Sequence, residues 1–169
     1  MSPFLEAMLR VPDLLAAHLL LAASALVLGL VISLPLAIWS ARRPLVARAA
    51  LGFASLVQTI PSLALLALFY PLLLTLSALV GGGIPALGFL PSVLALTLYA
   101  ILPILRNGVT GLATLDPAVI EAADGVGMTG WQKLAMVEAP LVSPVLMAGI
   151  RTAAVWTIGA ATLSTTVGQ

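Results

Sequence analysis

The sequence is poor in charge and contains no cysteine. Of its 169 residues, only 8% are Asp, Glu, Lys or Arg and 62% are hydrophobic, whereas a soluble domain carries roughly a quarter charged residues. So few polar side chains cannot cover a surface that faces water. Together with a mean hydropathy of +1.20, this composition indicates a protein whose solvent is largely lipid. The lack of cysteine also excludes disulfides and thiolate metal sites.

Other missing residue types exclude further chemistries. A single histidine rules out a metal site made of several histidines, and the absence of an Asp pair or a Ser–His arrangement argues against an enzyme. No glycine-rich loop ends in Lys-Ser or Lys-Thr, so we predict that the chain binds neither ATP nor another cofactor itself. The net charge is only +1, and the basic residues form no stripe with interleaved aromatics, which argues against a nucleic-acid partner.

Long apolar runs fill most of the chain instead. A helix needs about 20 apolar residues to cross a bilayer, and the first run exceeds the apolar core of a cleaved signal, which is about 7–15 residues. We therefore predict an all-α fold, a polytopic transmembrane helical bundle that forms a single domain over residues 1–169. The predicted spans are residues 14–39, 49–80, 90–105 and 141–163.

The basic residues predict the orientation of these spans. Arg42, Arg43 and Arg48 follow the first span, and Arg106 opens a polar segment that includes Lys133. Because basic residues mark the cytoplasmic side, both regions should lie inside the cell, with an even number of crossings between them. The glycine-rich stretch at residues 81–88 is the natural turn between those two crossings. A re-entrant hairpin with its tip at a proline within residues 49–80 is the alternative, and it keeps the same parity.

The polar segment, residues 106–140, interrupts the apolar pattern. Asp116 followed by Pro117 is a typical helix start, and this short helix should end near Gly125 or Gly127, where glycine tolerates a left-handed conformation. A second short amphipathic helix, WQKLAMVE, should then run up to Pro140, which would mark where the next helix begins. The simplest interpretation of such a segment is a solvated connector.

The spacing within this segment favours a more specific interpretation. It resembles the EAA loop of binding-protein-dependent ABC importer permeases of type I, whose pattern has Ile and Leu where this chain has Val137 and Ala139. Residues at the remaining positions match: Glu121, Ala122, Ala123, Gly127 and Pro140. These residues are predicted to couple the chain to an ATPase.

Further stretches are similar to the osmoprotectant subfamily, whose substrates are glycine betaine, carnitine and choline. They are QTIPSLALLALFYPLL, LYAILPILRN, EAADGVGMTGWQKL and GIRTAAVWTIGAATL. The resemblance implies a membrane-spanning permease subunit of an ATP-driven importer in the bacterial cytoplasmic (inner) membrane. It also leads us to expect a fifth core span beyond GAATLSTTVG.

The same resemblance implies a set of partners. A cytoplasmic ABC ATPase subunit would carry ATP and Mg, and a second permease subunit, identical or paralogous, would complete the pathway through the membrane lipid. A periplasmic or extracellular substrate-binding protein would deliver the substrate. In this mechanism the EAA loop lies in the cytoplasm and docks on the ATPase. When the ATPase closes, the loop moves with it and switches the spans between inward and outward openings. Ala122 and Ala123 would allow close helix approach, and Glu121 would accept hydrogen bonds from the ATPase.

Polar residues inside the predicted spans are candidates for the translocation pathway or its gate. Gln58, Thr59 and Ser62 flank Pro61, and broken backbone at membrane depth is tolerated where it lines a cavity. Equally, Pro61 is expected merely to kink a long helix while its polar neighbours repair the lost hydrogen bond.

Two further candidates lie on later spans. Asn107 belongs to the LYAILPILRN stretch. Arg151 lies at membrane depth, where an arginine is rare and usually faces the interior of the bundle, so we predict an interior structural or gating role for it.

Two other functional classes remain open from the sequence. A secondary transporter or non-ABC channel would need a coupling-ion site, and the predicted spans contain no Asp or Glu. A membrane scaffold subunit with no transport pathway would leave Gln58 and Arg151 without a role.

Overall fold

The fold is built from helices alone over the part of the chain that can be described. The computed structural model describes residues 3–162, with side chains from residue 8 onward, and it contains no strand within that range. The helices are α1 (Pro3–Arg42), α2 (Pro44–Thr59), α3 (Ser62–Val80), α4 (Phe89–Ala113), α5 (Pro117–Gly125), α6 (Gly130–Lys133), a π-helical turn (Leu134–Glu138) and α7 (Ala139–Ala161). The prediction of an all-α bundle is confirmed.

Within residues 3–162, four helical stretches are long and apolar enough to cross a membrane. They are Met8–Arg42, Ser62–Val80, Phe89–Ala113 and Gly130–Ala161. The first and last extend well beyond the predicted spans 14–39 and 141–163, and the C-terminal end of the predicted fourth span lies outside the described residues. A multi-pass membrane protein follows from these four helices.

The predicted second span, residues 49–80, is not one helix. The chain leaves the helical conformation at Ile60 and Pro61, where ψ is 126° and 140°. A residue before proline is disfavoured in the α region because its backbone clashes with the proline ring, so the break falls at Pro61. Pro71, by contrast, lies inside α3. Since α2 has 16 residues, it is only about 24 Å long and too short to cross a bilayer core of about 30 Å by itself.

The turn between α3 and α4 is made by glycines with positive φ. Gly81, Gly82 and Gly83 have φ of 90–100°, and Gly88 has φ of 85°. Residues with a side chain rarely adopt this backbone conformation. The glycine-rich stretch therefore allows the chain to reverse between two spans without a charged loop.

Helix α4 lies at the centre and packs on α1, α2, α3 and α7. Helices α1, α4 and α7 approach one another closely at four glycines, where a side chain would not fit. A Cβ added to each glycine would lie 2.8 Å from the Ala100 Cβ (Gly29), 2.8 Å from the Ala37 Cβ (Gly108), 2.6 Å from the Val142 Cγ1 (Gly111) and 2.7 Å from the Pro103 carbonyl oxygen (Gly149). Small residues of this kind let backbones of membrane helices pack closely.

Pro140 lies in the first turn of α7, which begins at Ala139 as predicted, but α7 is not separated from the helical turns that precede it. One continuous helical stretch runs from Gly130 to Ala161 and passes through Pro140. Because proline has no N–H, it cannot donate to the carbonyl four residues earlier. The preceding residues widen into the π turn, in which the Ala139 N–H donates to the Leu134 carbonyl. The turn therefore absorbs the missing hydrogen bond and lets the helix continue.

Candidate functional site

The EAA segment, defined here as residues 116–140, begins with the predicted short helix. Asp116 caps α5, because its Oδ1 accepts a hydrogen bond from the Ala118 N–H at 2.9 Å. Pro117 occupies the first turn, and α5 ends at Gly125. Gly127 follows with φ of +79°, which a β-branched residue could adopt only under strain. The structure thus places a left-handed hinge between α5 and α6.

The second helix of the segment starts with a capping box. The Thr129 hydroxyl accepts from the Gln132 N–H at 3.3 Å, and the Gln132 side chain accepts from the Thr129 N–H at 2.8 Å. These reciprocal bonds satisfy two backbone donors that a helix start leaves free. The orientation of α6 relative to the hinge is therefore set by local hydrogen bonds.

The predicted coupling residues differ in exposure. Glu121, Ala122 and Pro140 are exposed, whereas Ala123 is buried. Ala123 therefore packs inside this chain, and its small size serves an internal contact. Glu121 has no hydrogen bond or ion pair within the described residues, and its carboxylate is free to receive a donor from outside.

Two ion pairs hold the segment, and sequence reasoning missed both. The Lys133 Nζ lies 2.6 Å from the Asp124 Oδ1 and joins α6 to α5. The Arg42 Nη2 lies 3.0 Å from the Glu138 Oε1 and 2.9 Å from its Oε2, which joins the end of α1 to the π turn. Glu138 is buried. The signal in the sequence was an acidic residue placed between apolar neighbours, two positions before a proline.

A cleft and a groove lie beside these ion pairs. The cleft has a volume of about 400 Å³ and is lined by Glu121, Arg42, Glu138 and apolar residues of α4 and α5. The groove, of about 440 Å³, is apolar and runs between α1, α4 and the Gly130–Ala161 helix, with Trp131 at its edge. A polar cleft therefore adjoins an apolar groove at one end of the bundle.

The residues around Pro61 form a latch between the α2–α3 break and α4. The Gln58 Nε2 donates to the Tyr99 carbonyl at 3.1 Å, and the Tyr99 hydroxyl donates to the Ile60 carbonyl. Thr59 donates to the Leu56 carbonyl at 2.7 Å. The polar groups here repair broken backbone, and Ser62, which is half-buried, begins α3.

A proline in α4 explains the bond between Gln58 and the Tyr99 carbonyl. Pro103 lies inside α4 and has no N–H to donate to the carbonyl of Tyr99, four residues earlier. Gln58 supplies the missing donor. Tyr99 was not among the predicted site residues, and the signal that identifies it is its spacing of four from Pro103.

Asn107 and Arg151 lie on α4 and α7 in different environments. The Asn107 Nδ2 donates to the Pro103 carbonyl at 2.8 Å, against which Gly149 also packs. Asn107 is thus part of the α4–α7 contact.

No helix of this chain encloses Arg151 within the described residues, and its predicted structural or gating role stays a prediction. Its side chain is exposed, because it lies on a face of α7 that α1 and α4 do not cover. It has no polar partner within the described residues.

The fold and the site together define a class: a polytopic α-helical membrane protein with a hinged polar segment attached to one end of its spans. Residues 29–169 match the family described as "Binding-protein-dependent transport system inner membrane component". The chain belongs to this family, and the resemblance drawn from its sequence is confirmed.

Characterised relatives are transport permeases. The chain is 42% identical over 151 residues to the "Glycine betaine/carnitine/choline transport system permease protein OpuCB" of Bacillus subtilis. The matched residues make up 89% of this chain and 64% of that protein. This chain is 42% identical to the "Carnitine transport permease protein OpuCB" of Listeria monocytogenes, with the same coverage. It is 44% identical to the "Osmoprotectant import permease protein OsmW" of Salmonella typhimurium, covering 89% of this chain and 67% of that protein. The chain spans about two thirds of the length of these relatives.

Proposed function

We propose that this chain is a permease subunit of an ATP-driven importer of osmoprotectants, which are small quaternary ammonium compounds such as glycine betaine, carnitine and choline. The observation that carries the proposal is the hinged EAA segment. Its Glu121 carboxylate is exposed and unpaired within the described residues, while the segment is anchored to α1 through Glu138. The substrate class is that named for its relatives, the permeases of Bacillus subtilis and Salmonella typhimurium.

The orientation of the segment follows from the basic residues. Arg42, Arg43 and Arg48 flank the start of α2, and such residues mark the cytoplasmic side. Between them and the EAA segment stand two helices that are long enough to cross, α3 and α4. Two crossings would return the chain to the same side, which supports a cytoplasmic position for the EAA segment.

The geometry suits a docking element for a separate ATPase subunit. A partner that inserts a basic side chain into the cleft beside Glu121 would form a charge-assisted hydrogen bond. Movement of α5 would then pass through the Gly127 hinge to α6 and on to α7, with which α6 is continuous. ATP and Mg would be bound and hydrolysed by that partner, and a second permease subunit would complete the pathway.

The substrate would arrive from a binding protein on the outer side. The polar residues at the Pro61 break, together with Asn107, stabilise the helices in the structure. We retain Gln58, Thr59, Pro61 and Ser62 as candidates for the pathway, because a break in the helix is where a moving span bends most easily.

Uptake by the reconstituted system tests the proposal. The full-length permease is placed in liposomes with its ATPase and binding protein, and uptake of radiolabelled glycine betaine, carnitine and choline is measured with and without ATP. We expect ATP-dependent uptake of at least one of the three compounds. Glu121→Gln should reduce uptake, whereas Asp13→Asn, which neutralises an exposed acid at the far end of α1, should not. ATP-independent uptake, or equal uptake by both variants and the wild type, would contradict the proposal.

A further inference from the structure

The EAA segment has few packing contacts that fix its position. Helix α5 makes few contacts with any other element, and Trp131, Val126 and Met136 are all at least 66% exposed. Hydrophobic burial therefore does little to hold the segment against the bundle. The second half of the segment is continuous with α7, and polar contacts link the segment to α1 and α5 to α6.

The two ion pairs form a continuous path from the tip of the segment to the first span. Asp124 of α5 binds Lys133 of α6, and α6 leads directly into the π turn that carries Glu138. Glu138 in turn binds Arg42, the last residue of α1. We call this path the ion-pair chain.

The Arg42–Glu138 pair is the strong member of the ion-pair chain. The Glu138 side chain is only 7% exposed, and one guanidinium nitrogen lies within hydrogen-bond distance of both carboxylate oxygens. A buried carboxylate that loses its partner is left with an uncompensated charge. Any movement that separated α1 from the π turn would incur that cost, so the two elements are held together.

The π turn determines which way Glu138 points. An extra residue in a helix rotates the residues on one side of it by about 100° relative to those on the other. The turn precedes Pro140, which has no N–H to donate, and π turns are frequent at functional sites. The turn brings Glu138 to α1, while the helix downstream packs on α4 through Gly149.

We propose that Arg42 and Glu138 are positioning residues, which tie the cytoplasmic end of α1 to the EAA segment so that the first span moves with the segment. The tie itself is a property of this chain, whereas its consequence for transport depends on the proposed function. The two are tested by separate measurements.

The position of the segment is measured with spin labels. Because the chain contains no cysteine, Trp39→Cys and Val126→Cys add two unique labelling sites, at side chains 60% and 75% exposed. The full-length protein is labelled in lipid nanodiscs, and the distance distribution between the labels is recorded by pulsed electron paramagnetic resonance. The measurement is repeated with Arg42→Met/Glu138→Leu. This double variant removes both charges, so that no buried carboxylate is left without a partner.

The distance distribution decides whether the tie exists. We expect a narrow distribution in the otherwise unaltered protein and a broader or shifted one in the double variant. Arg42→Lys, which keeps the charge, should restore the narrow distribution. Arg43→Met, which removes the neighbouring exposed arginine, should leave it narrow. An equally narrow distribution in the double variant would overturn the proposal.

Transport then tests the consequence. In liposomes with the ATPase and binding protein, the number of ATP molecules hydrolysed per glycine betaine imported should rise at least about fivefold in Arg42→Met/Glu138→Leu, the scale of a modest coupling free energy. Arg42→Lys should bring the ratio back. An unchanged ratio would overturn the idea that α1 is driven through this pair. If the wild type showed no ATP-dependent uptake, the proposed function would fail, while the spin-label result would still decide whether the tie exists.

Discussion

The spans and the EAA segment are held together by different forces. Where α1, α4 and α7 cross, backbones meet at glycines, and an added Cβ would lie 2.6–2.8 Å from the facing helix. The EAA segment is instead exposed, and ion pairs attach it to its surroundings. Close packing over many atoms resists every small displacement, whereas an ion pair is a single contact that can break and form again. The difference separates a rigid bundle from an element suited to move as a unit.

The largest expected effect comes from filling a glycine contact between spans. In Gly149→Leu, the new side chain would meet the Pro103 carbonyl and Asn107, which cannot move without shifting α4. We expect the free energy of unfolding to fall by about 3 kcal/mol or more, which is at the upper end for overpacked sites. The helical content is followed as SDS is added to the protein in mild detergent.

The matched control lies on the same helix. Nothing lies within 4 Å of a Cβ added at Gly159, so Gly159→Leu should leave the unfolding midpoint close to that of the wild type. Equal midpoints for the two variants would mean that the α4–α7 contact does not depend on close backbone approach.

The next effect tests whether the pairing of the half-exposed Arg42 with the buried Glu138 stabilises the protein. Arg42→Met should destabilise the protein by about 2 kcal/mol, because it leaves the buried Glu138 carboxylate without a partner. Adding Glu138→Leu should recover most of that loss. The same SDS titration measures both. A single variant as stable as the wild type would show that Glu138 reaches water or another donor.

The latch at the helix break should contribute less. Gln58→Leu removes the donor to the Tyr99 carbonyl, which Pro103 leaves without a backbone partner. We expect the free energy of unfolding to fall by about 1–2 kcal/mol, as measured in the same SDS titration. Thr59→Val, which removes an exposed hydroxyl bonded within its own turn, serves as the control and should change stability less than Gln58→Leu.

The smallest effect is expected at the exposed ion pair. Asp124 is 56% exposed and the Lys133 side chain 12%. Because a lysine ammonium sits on a flexible stem and can turn to water when its partner is lost, Asp124→Asn should cost at most about 1 kcal/mol. The difference from wild type should shrink as salt is raised, because exposed pairs are screened. A loss as large as that of Arg42→Met would contradict the contrast drawn between the two pairs.

Local signals in the sequence predicted much of this architecture. Apolar runs predicted the span-length helices, and the Asp116–Pro117 pair predicted the start of α5, because each depends only on neighbouring residues. Pro140 was correctly placed at the start of α7, but the π turn that joins α7 to α6 without a break was not predicted. That turn is defined by backbone hydrogen bonds that form only in the folded chain.

Contacts between distant residues were beyond the reach of these signals. Arg42 was predicted only to set topology, and Glu138, which lies 96 positions away in the sequence, had no predicted role. The burial of Glu138 follows from how α1 packs beside the π turn, which no local pattern reveals. Arg151 was assigned to the interior from its type and depth, but which face of α7 it occupies depends on where α4 packs.

The central claim, that the EAA segment transmits movement between an ATPase and the spans, is tested most directly at its hinge. Gly127→Val forces a β-branched residue into φ of +79°, whereas Gly125→Val places the same residue two positions earlier, where φ is not positive and nothing lies within 4 Å. ATP hydrolysis and glycine betaine uptake are measured together in liposomes that contain the full-length permease, its ATPase and its binding protein. We predict that Gly127→Val raises the ATP consumed per betaine imported while Gly125→Val leaves that ratio unchanged. Equal ratios in both variants and the wild type would contradict the account.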